Sequence, residues 1–170
     1  KKGRELWERF NARYKDSIVL TGDEHAKCLS MSRAVWANET AAEVLRSDGQ
    51  NEMTVLWKDK HTKLDCKARI DRFTKLADWP VLLDLKTTWN ASPDQFGREI
   101  AKYQYHVQAA FYVKGMKALH DVPRRFLFIA VEKDPPYATC VYELDSLSME
   151  EGNRKANEYL LLSLIHISEP

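Results

Sequence analysis

The sequence predicts an α/β fold, a mixed central sheet of about five strands flanked by helices, and three observations predict it. Five runs have strand character, at residues 52–58, 64–73, 81–86, 124–133 and 137–144; each is rich in apolar or β-branched residues and bounded by turn formers. Around them lie segments whose apolar residues recur at helical spacing. The chain of 170 residues is long enough for one substantial core, and residues 1–170 are read as a single domain.

Taken in order, residues 4–14 (RELWERFNARY) place Leu6, Trp7, Phe10 and Tyr14 at helical spacing and predict a short helix. Thr21 with Glu24 three residues later reads as a capping box. The helix it starts is expected to run to about Ser47, to break near Asn38, and to bury Leu29, Ala34, Val35, Ala41, Ala42, Val44 and Leu45. Residues 52–58 and 64–73 follow as antiparallel strands joined by the polar turn 59–62. Residues 74–80 read as a turn region leading to VLLDLK at 81–86, apolar enough for a central strand. Ser92-Pro93-Asp94 opens a long helix to about Leu119, with Pro at the first helical position. Its expected apolar stripe is Phe96, Ile100, Tyr103, Val107, Ala110, Phe111 and Met116. After Pro123, the runs 124–133 and 137–144 form a second hairpin through Asp134-Pro135-Pro136. Ser146 is the expected cap of a last helix that packs Met149, Ala156, Tyr159 and Leu160 inward. The terminal SLIHISEP, residues 163–170, reads equally as a domain end or as a non-native tail, and Lys1 in place of Met reads as the start of a fragment.

Composition narrows the function classes. Hydrophobic residues make up 44% and charged residues 30% of the chain, ordinary for a globular protein and unlike disorder or a coiled coil. With 26 Lys and Arg against 25 Asp and Glu, any hold on a polyanion must come from a local patch. Cys28, Cys66 and Cys140 lie far apart, with no C-x-x-C pair and no nearby His spacing that would make a zinc site, which fits a reducing interior. No run has the roughly 18–20 apolar residues that span a bilayer and no secretory leader opens the sequence, so a cytoplasmic protein with no membrane partner is expected.

The chemistry concentrates between Leu64 and Lys86. Asp71 and Asp84 sit near the ends of neighbouring strands, and Lys86 follows Asp84 on the same face because side chains alternate along a strand. Lys67, Arg69 and Asp71 are expected to share one face by the same alternation. Asp-x-Lys is common on exposed edge strands, but a carboxylate inside VLLDLK is costly without a partner. Hard oxygen ligands for a divalent metal, and a cation near a phosphate, are what phosphodiester cleavage needs. Asp71 and Asp84 would supply the ligands, the backbone carbonyl of Leu85 a third, and Lys86 would orient or help deprotonate the attacking water. Glu52, on the paired strand, is a further candidate ligand. Lys67 and Arg69 fit two readings, ion-pair partners of the aspartates or grips on phosphates. Gln108 and Tyr112 are four residues apart on the long helix, and Tyr105 leans the same way. They read either as a polar and aromatic nucleic-acid edge or as an ordinary amphipathic face.

These motifs together resemble the PD-(D/E)XK nuclease superfamily, in particular its RecE-type, exonuclease VIII-like branch related to the RecB and lambda exonuclease nucleases. The resemblance rests on E-x-x-x-x-W-x-D at Glu52–Asp59, CKARID at Cys66–Asp71, LDLKTT at Leu83–Thr88, YxYHVQAAFY at Tyr103–Tyr112 and FIAVEKDPPY at Phe128–Tyr137. It implies a restriction-endonuclease-like core, Mg2+ or Mn2+ on Asp71 and Asp84, Lys86 as catalytic lysine, and assistance from Gln108 and Tyr112. It further implies a 5′ to 3′ exonuclease on double-stranded DNA ends, of phage or prophage recombination type, with a homo-oligomeric ring and a single-strand annealing protein as associated partners. The chain departs from the pattern at Ala37-Asn38-Glu39, where relatives often carry a His. That departure implies an altered ligand or contact and supports an alternative, a catalytically weakened DNA-binding or assembly protein.

Overall fold

The structure is a computed structural model that describes residues 2–120 and 125–168. Pro123 and Arg124, the expected entry to the fourth strand, and the last two residues of the 163–170 stretch lie outside the described residues. In chain order the elements are α1 (Lys2–Arg13), α2 (Gly22–Ala37), α3 (Glu39–Arg46), β1 (Gly49–Lys58), β2 (Asp65–Leu76), β3 (Trp79–Thr88), α4 (Pro93–Lys102), α5 (Tyr105–His120), β4 (Arg125–Glu132), β5 (Thr139–Glu143) and α6 (Ser146–Ser168). The strands form one five-stranded sheet in the order β1-β2-β3-β4-β5. It is mixed: β3 and β4 run parallel, whereas β1–β2, β2–β3 and β4–β5 are antiparallel. A parallel pair needs a crossover between its strands, and α4 and α5 supply it.

Helices cover both faces. Under α2 and α3, Val35, Ala41 and Val44 pack with Val81, Leu83, Leu127, Ile129 and Val131. On the other face Phe96, Ala109, Met116 and Leu160 from α4, α5 and α6 meet Trp57, Ile70, Leu82, Phe126 and Phe128. The middle six residues of β4 are therefore buried without alternation, as a strand covered on both sides must be. The core is close-packed where α6 crosses α5: a Cβ on Gly152 would lie 2.2 Å from the carbonyl oxygen of His106.

The Thr21 capping box is present in full, and the helix breaks at Asn38 as expected. Several expectations are corrected. Leu29 is exposed, and Met31 is the residue packed toward the core instead. The region 74–80 is mostly strand: β2 and β3 reach a two-residue turn at Ala77 and Asp78, both in left-handed backbone at φ 47° and 67°. The expected long helix is two helices, because Gln104 takes φ 56°; Tyr103, placed in the apolar stripe, is exposed. Asp145, not Ser146, caps α6, its carboxylate accepting from the Ser148 amide at 2.7 Å. Tyr159, expected inward on that helix, is 42% exposed. Helix α1 has the predicted spacing but buries none of its residues; spacing identifies an apolar face, not what covers it.

Candidate active site

Alternation along β3 sends Leu82, Asp84 and Lys86 toward α5, while Val81 and Leu83 face α2 and α3. Asp84 is 3% exposed, and the surrounding sheet is apolar, so its charge must be met locally. Gln108 of α5 does part of this: its Nε2 donates to Asp84 Oδ1 at 2.5 Å, and its Oε1 accepts from Lys86 Nζ at 3.0 Å. Lys86 Nζ stands 2.5 Å from Asp84 Oδ2. The three side chains close a triangle in which the amide of Gln108 joins the acid to the base. The Lys86 ammonium also lies 4.6 Å from the ring centroid of Tyr105, a cation–π contact.

Burial pushes the Asp84 carboxyl above the usual carboxylate range; Lys86 pulls it back, Asp71 adds to the rise, and Gln108 pulls back in turn, leaving a net increase. Burial also raises the Tyr112 phenol, with Gln108 lowering it and Asp84 and Asp71 raising it. Tyr112 is thus held protonated, within the field of both aspartates.

Asp71 reaches this site by a shift in alternation. Ile70 faces α5, and so does Phe73 three residues later, whereas Arg72 and Thr74 bond to the carbonyl of Ser47 at the end of α3, Thr74 at 3.3 Å. A regular strand cannot put residues three apart on one face. Opposite, Glu52 stands in left-handed backbone at φ 53°, yet the β1–β2 register is the same on either side, Asn51 facing Arg72 and Met53 facing Ile70. Both strands shift together and pairing resumes. The β2–β3 pairing runs from Leu76–Trp79 to Arg72–Leu83 and stops; one further step of that register sets Asp71 opposite Asp84. There Asp71 Oδ2 accepts the Leu85 amide at 2.9 Å, a side chain replacing the next rung.

The structure therefore brings Asp71, Asp84, Lys86, Leu85, Gln108, Tyr112 and Tyr105 together. It does not bring Lys67, Arg69 or Glu52 to them. Ala68 and Ile70 face α5, so Lys67 and Arg69 project to the opposite side, and Arg69 is spent on Glu52, Nε to Oε2 at 2.6 Å. The expected shared face of Lys67, Arg69 and Asp71, and Glu52 as a ligand, are corrected accordingly. Asn38 is also accounted for: its Oδ1 caps α3 through the Ala41 amide and its Nδ2 donates to the Thr139 carbonyl, both at 2.9 Å. It ties the helices to β5 on the far face from Gln108.

Among the described residues no group of three or more His, Cys, Asp and Glu converges as a metal cluster. The two-carboxylate set nevertheless fits a hard divalent ion. Asp84 Oδ2 is buried with the Lys86 ammonium 2.5 Å away, and carboxylate oxygens are the donors a hard divalent cation takes. Asp71, half-buried and alongside, supplies a second acid.

A buried pair that the sequence reading passed over lies at the other end of α5. Asp59, 1% exposed, sits 2.5 Å from Lys114 Nζ through Oδ2, and its Oδ1 accepts the Thr62 amide at 2.9 Å and hydroxyl at 3.0 Å. Within the W-x-D motif Asp59 thus anchors the β1–β2 loop to α5. The apolar run before it, ending in an acid, was the available signal.

A family model described as "PDDEXK-like domain of unknown function (DUF3799)" matches residues 4–166. No curated protein matches. Among solved structures, one described as a "Putative exonuclease" from Eubacterium rectale superposes over 98% of the chain with a TM-score of 0.66 and 10% identity. The chain spans 63% of that protein's length, and at this identity the likeness is one of fold. A second, SSO0001, covers 77% of this chain and 55% of its own at 12% identity and a TM-score of 0.40. The observed sheet and helices are consistent with a restriction-endonuclease-like core. Among the described residues no helix is long and apolar enough to cross a membrane.

Proposed function

The chain belongs to the PDDEXK-like family of unknown function (DUF3799), and on that premise we propose that it is a metal-dependent deoxyribonuclease hydrolysing DNA phosphodiester bonds. The observation that carries this is the triangle of Asp84, Lys86 and Gln108, with Asp71 brought alongside by the paired shift in β1 and β2. A structural ion pair has no need of a second acid drawn in by left-handed backbone; a site that collects acids on one side of a fixed lysine does.

Asp71 and Asp84 would hold Mg2+ or Mn2+, with the Leu85 carbonyl as a further oxygen, and the ion when bound supplies Lewis-acid stabilisation of charge on the phosphate. Lys86 Nζ is positioned to orient a water and to offset negative charge growing on a phosphate oxygen. Gln108 fixes both partners at once, so the acid and the base keep one geometry before substrate arrives. Tyr112, kept protonated by its surroundings, has a hydroxyl hydrogen to donate to an anionic oxygen.

The finer reading is a 5′ to 3′ exonuclease on double-stranded DNA ends of phage or prophage recombination type. It rests on the resemblance of the five motifs, as do a ring-shaped homo-oligomer and an annealing partner. The reading of a weakened, DNA-binding protein rested on Asn38, whose amide is occupied in capping. The test is incubation of linear and covalently closed duplex DNA with and without Mg2+. Shortening of the linear form alone, only with metal, is the expected outcome. Cutting of both forms would make it an endonuclease, and retardation without cutting would overturn the enzyme.

A further inference from the structure

The break between α4 and α5 builds a row of rings and cations that ends on Lys86, and we propose that this row is a stacking platform for an unpaired nucleotide, so that the site prefers DNA ends carrying a single-stranded tail. The inference rests on the nuclease reading above. In an uninterrupted helix, residues two apart point to different sides, and Tyr103 and Tyr105 would not meet. Gln104, in left-handed backbone at φ 56°, turns the chain so that they do: the rings stack with centroids 5.7 Å apart and planes 28° from parallel. Lys102 Nζ lies 5.1 Å from the Tyr103 ring centroid, and Lys86 Nζ lies 4.6 Å from that of Tyr105. Lys102, Tyr103, Tyr105 and Lys86 therefore follow one another in space, from the surface to the acid pair.

The kink is held rather than loose, because the Tyr159 hydroxyl of α6 donates to Gln104 Oε1 at 2.6 Å. Left-handed backbone at a residue other than glycine persists where surroundings enforce it, and such strain collects at functional sites. The outer half of the row is open: Tyr103 is 54% exposed and Lys102 is exposed. Glu99, an acid that acts on Tyr105, accepts from the Thr88 hydroxyl at 2.8 Å. Tyr103 is the exposed ring of the row, and with the Lys102 ammonium beside it it offers the two parts a single strand needs, a π-face for a base and positive charge for a phosphate. A base inside a duplex has both faces stacked and cannot use such a ring; the terminal pair of a blunt end has one free face, and an unpaired base has both.

The test is fluorescence anisotropy of the full chain, without divalent metal, on two labelled probes: a short blunt duplex and the same duplex with an oligothymidine tail. Wild type is expected to bind the tailed probe about tenfold more tightly. Tyr103→Ala should remove that preference and Tyr103→Phe should keep it, since the ring remains. Lys102→Ala should weaken both probes and lower the salt slope by about one. Equal affinity of wild type for both probes, or a tail preference that survives Tyr103→Ala, overturns the platform. With Mg2+ then added to the same probes, absence of all cleavage by wild type is instead a failure of the nuclease reading, whereas cleavage together with equal metal-free affinity for the two probes is a failure of the platform alone.

Discussion

Gln108 Nε2 donates to Asp84 Oδ1 at 2.5 Å while the other end of the same amide accepts from Lys86, so one side chain on α5 sets the geometry of an acid and a base that both come from β3. The amide is suited to this because it donates and accepts at once. A carboxylate in its place could only accept, and would face Asp84 with like charge.

Gln108→Ala is therefore expected to lower cleavage by about 10–100-fold, the usual effect of losing a group that orients the acting residues, with the fold retained. Gln108→Glu should be at least as damaging despite its closer size. Steady-state rates on a linear duplex, with circular dichroism as the fold check, measure both; wild-type rates in Gln108→Ala would remove the orienting role.

Metal binding should be visible without turnover. Mg2+ or Mn2+ at about a hundred times its dissociation constant contributes roughly 2.7 kcal/mol, which for a chain of this size raises Tm by about 5–10 °C. Asp84→Asn and Asp71→Asn should each lose most of that shift. Thermal unfolding with and without metal is the measurement, and an equal shift in wild type and both variants would place the ion elsewhere.

The Asp59–Lys114 pair predicts an acid-dependent stability. Burial alone would raise the Asp59 carboxyl, but the Lys114 ammonium and the Thr62 amide and hydroxyl outweigh it and hold it well below the usual range. A depressed folded-state value means that the pair stabilises above the unfolded pKa, near 4, and that this is lost as pH falls through the folded value. Asp59→Asn should cost about 3 kcal/mol at neutral pH by leaving Lys114 poorly paired. Urea unfolding should show the gap to wild type closing only below about pH 4; a gap independent of pH would contradict the assignment.

Gly152→Ala should destabilise by roughly 2 kcal/mol or more, because its Cβ would meet the backbone of His106, which cannot move aside as a side chain can. Thermal unfolding reads this directly. An unchanged Tm would mean that α6 does not cross α5 as closely as the structure has it.

The parts of the site legible in the sequence were those whose reason is local. Asp84 and Lys86 stand two apart in a run too apolar to tolerate a stray acid, and Gln108 and Tyr112 stand one helical turn apart; period and hydrophobicity reveal both. The parts that were not legible depend on backbone that no residue type announces. Glu52 and Gln104 take left-handed conformations without being Gly, Asn or Asp, so neither the shift that swings Asp71 inward nor the break that joins Tyr103 to Tyr105 leaves a local signal. The turn at Ala77-Asp78 was read too long because Asp78 is its one turn former and no Asn-Gly or Asp-Gly pair marks it. At Asn38 the break was foreseen and the cap on the Ala41 amide is local, but the bond to the Thr139 carbonyl joins it to a strand a hundred residues away.

The most direct test of the account is cleavage of linear duplex DNA in Mg2+ by wild type, Asp84→Asn and Lys86→Ala, each first shown to be folded by circular dichroism. Loss of a catalytic lysine or of a charge-stabilising acid typically costs a hundredfold or more. The prediction is metal-dependent cleavage by wild type and at least about a hundredfold less by either variant; metal-dependent cleavage undiminished in either folded variant would contradict the site.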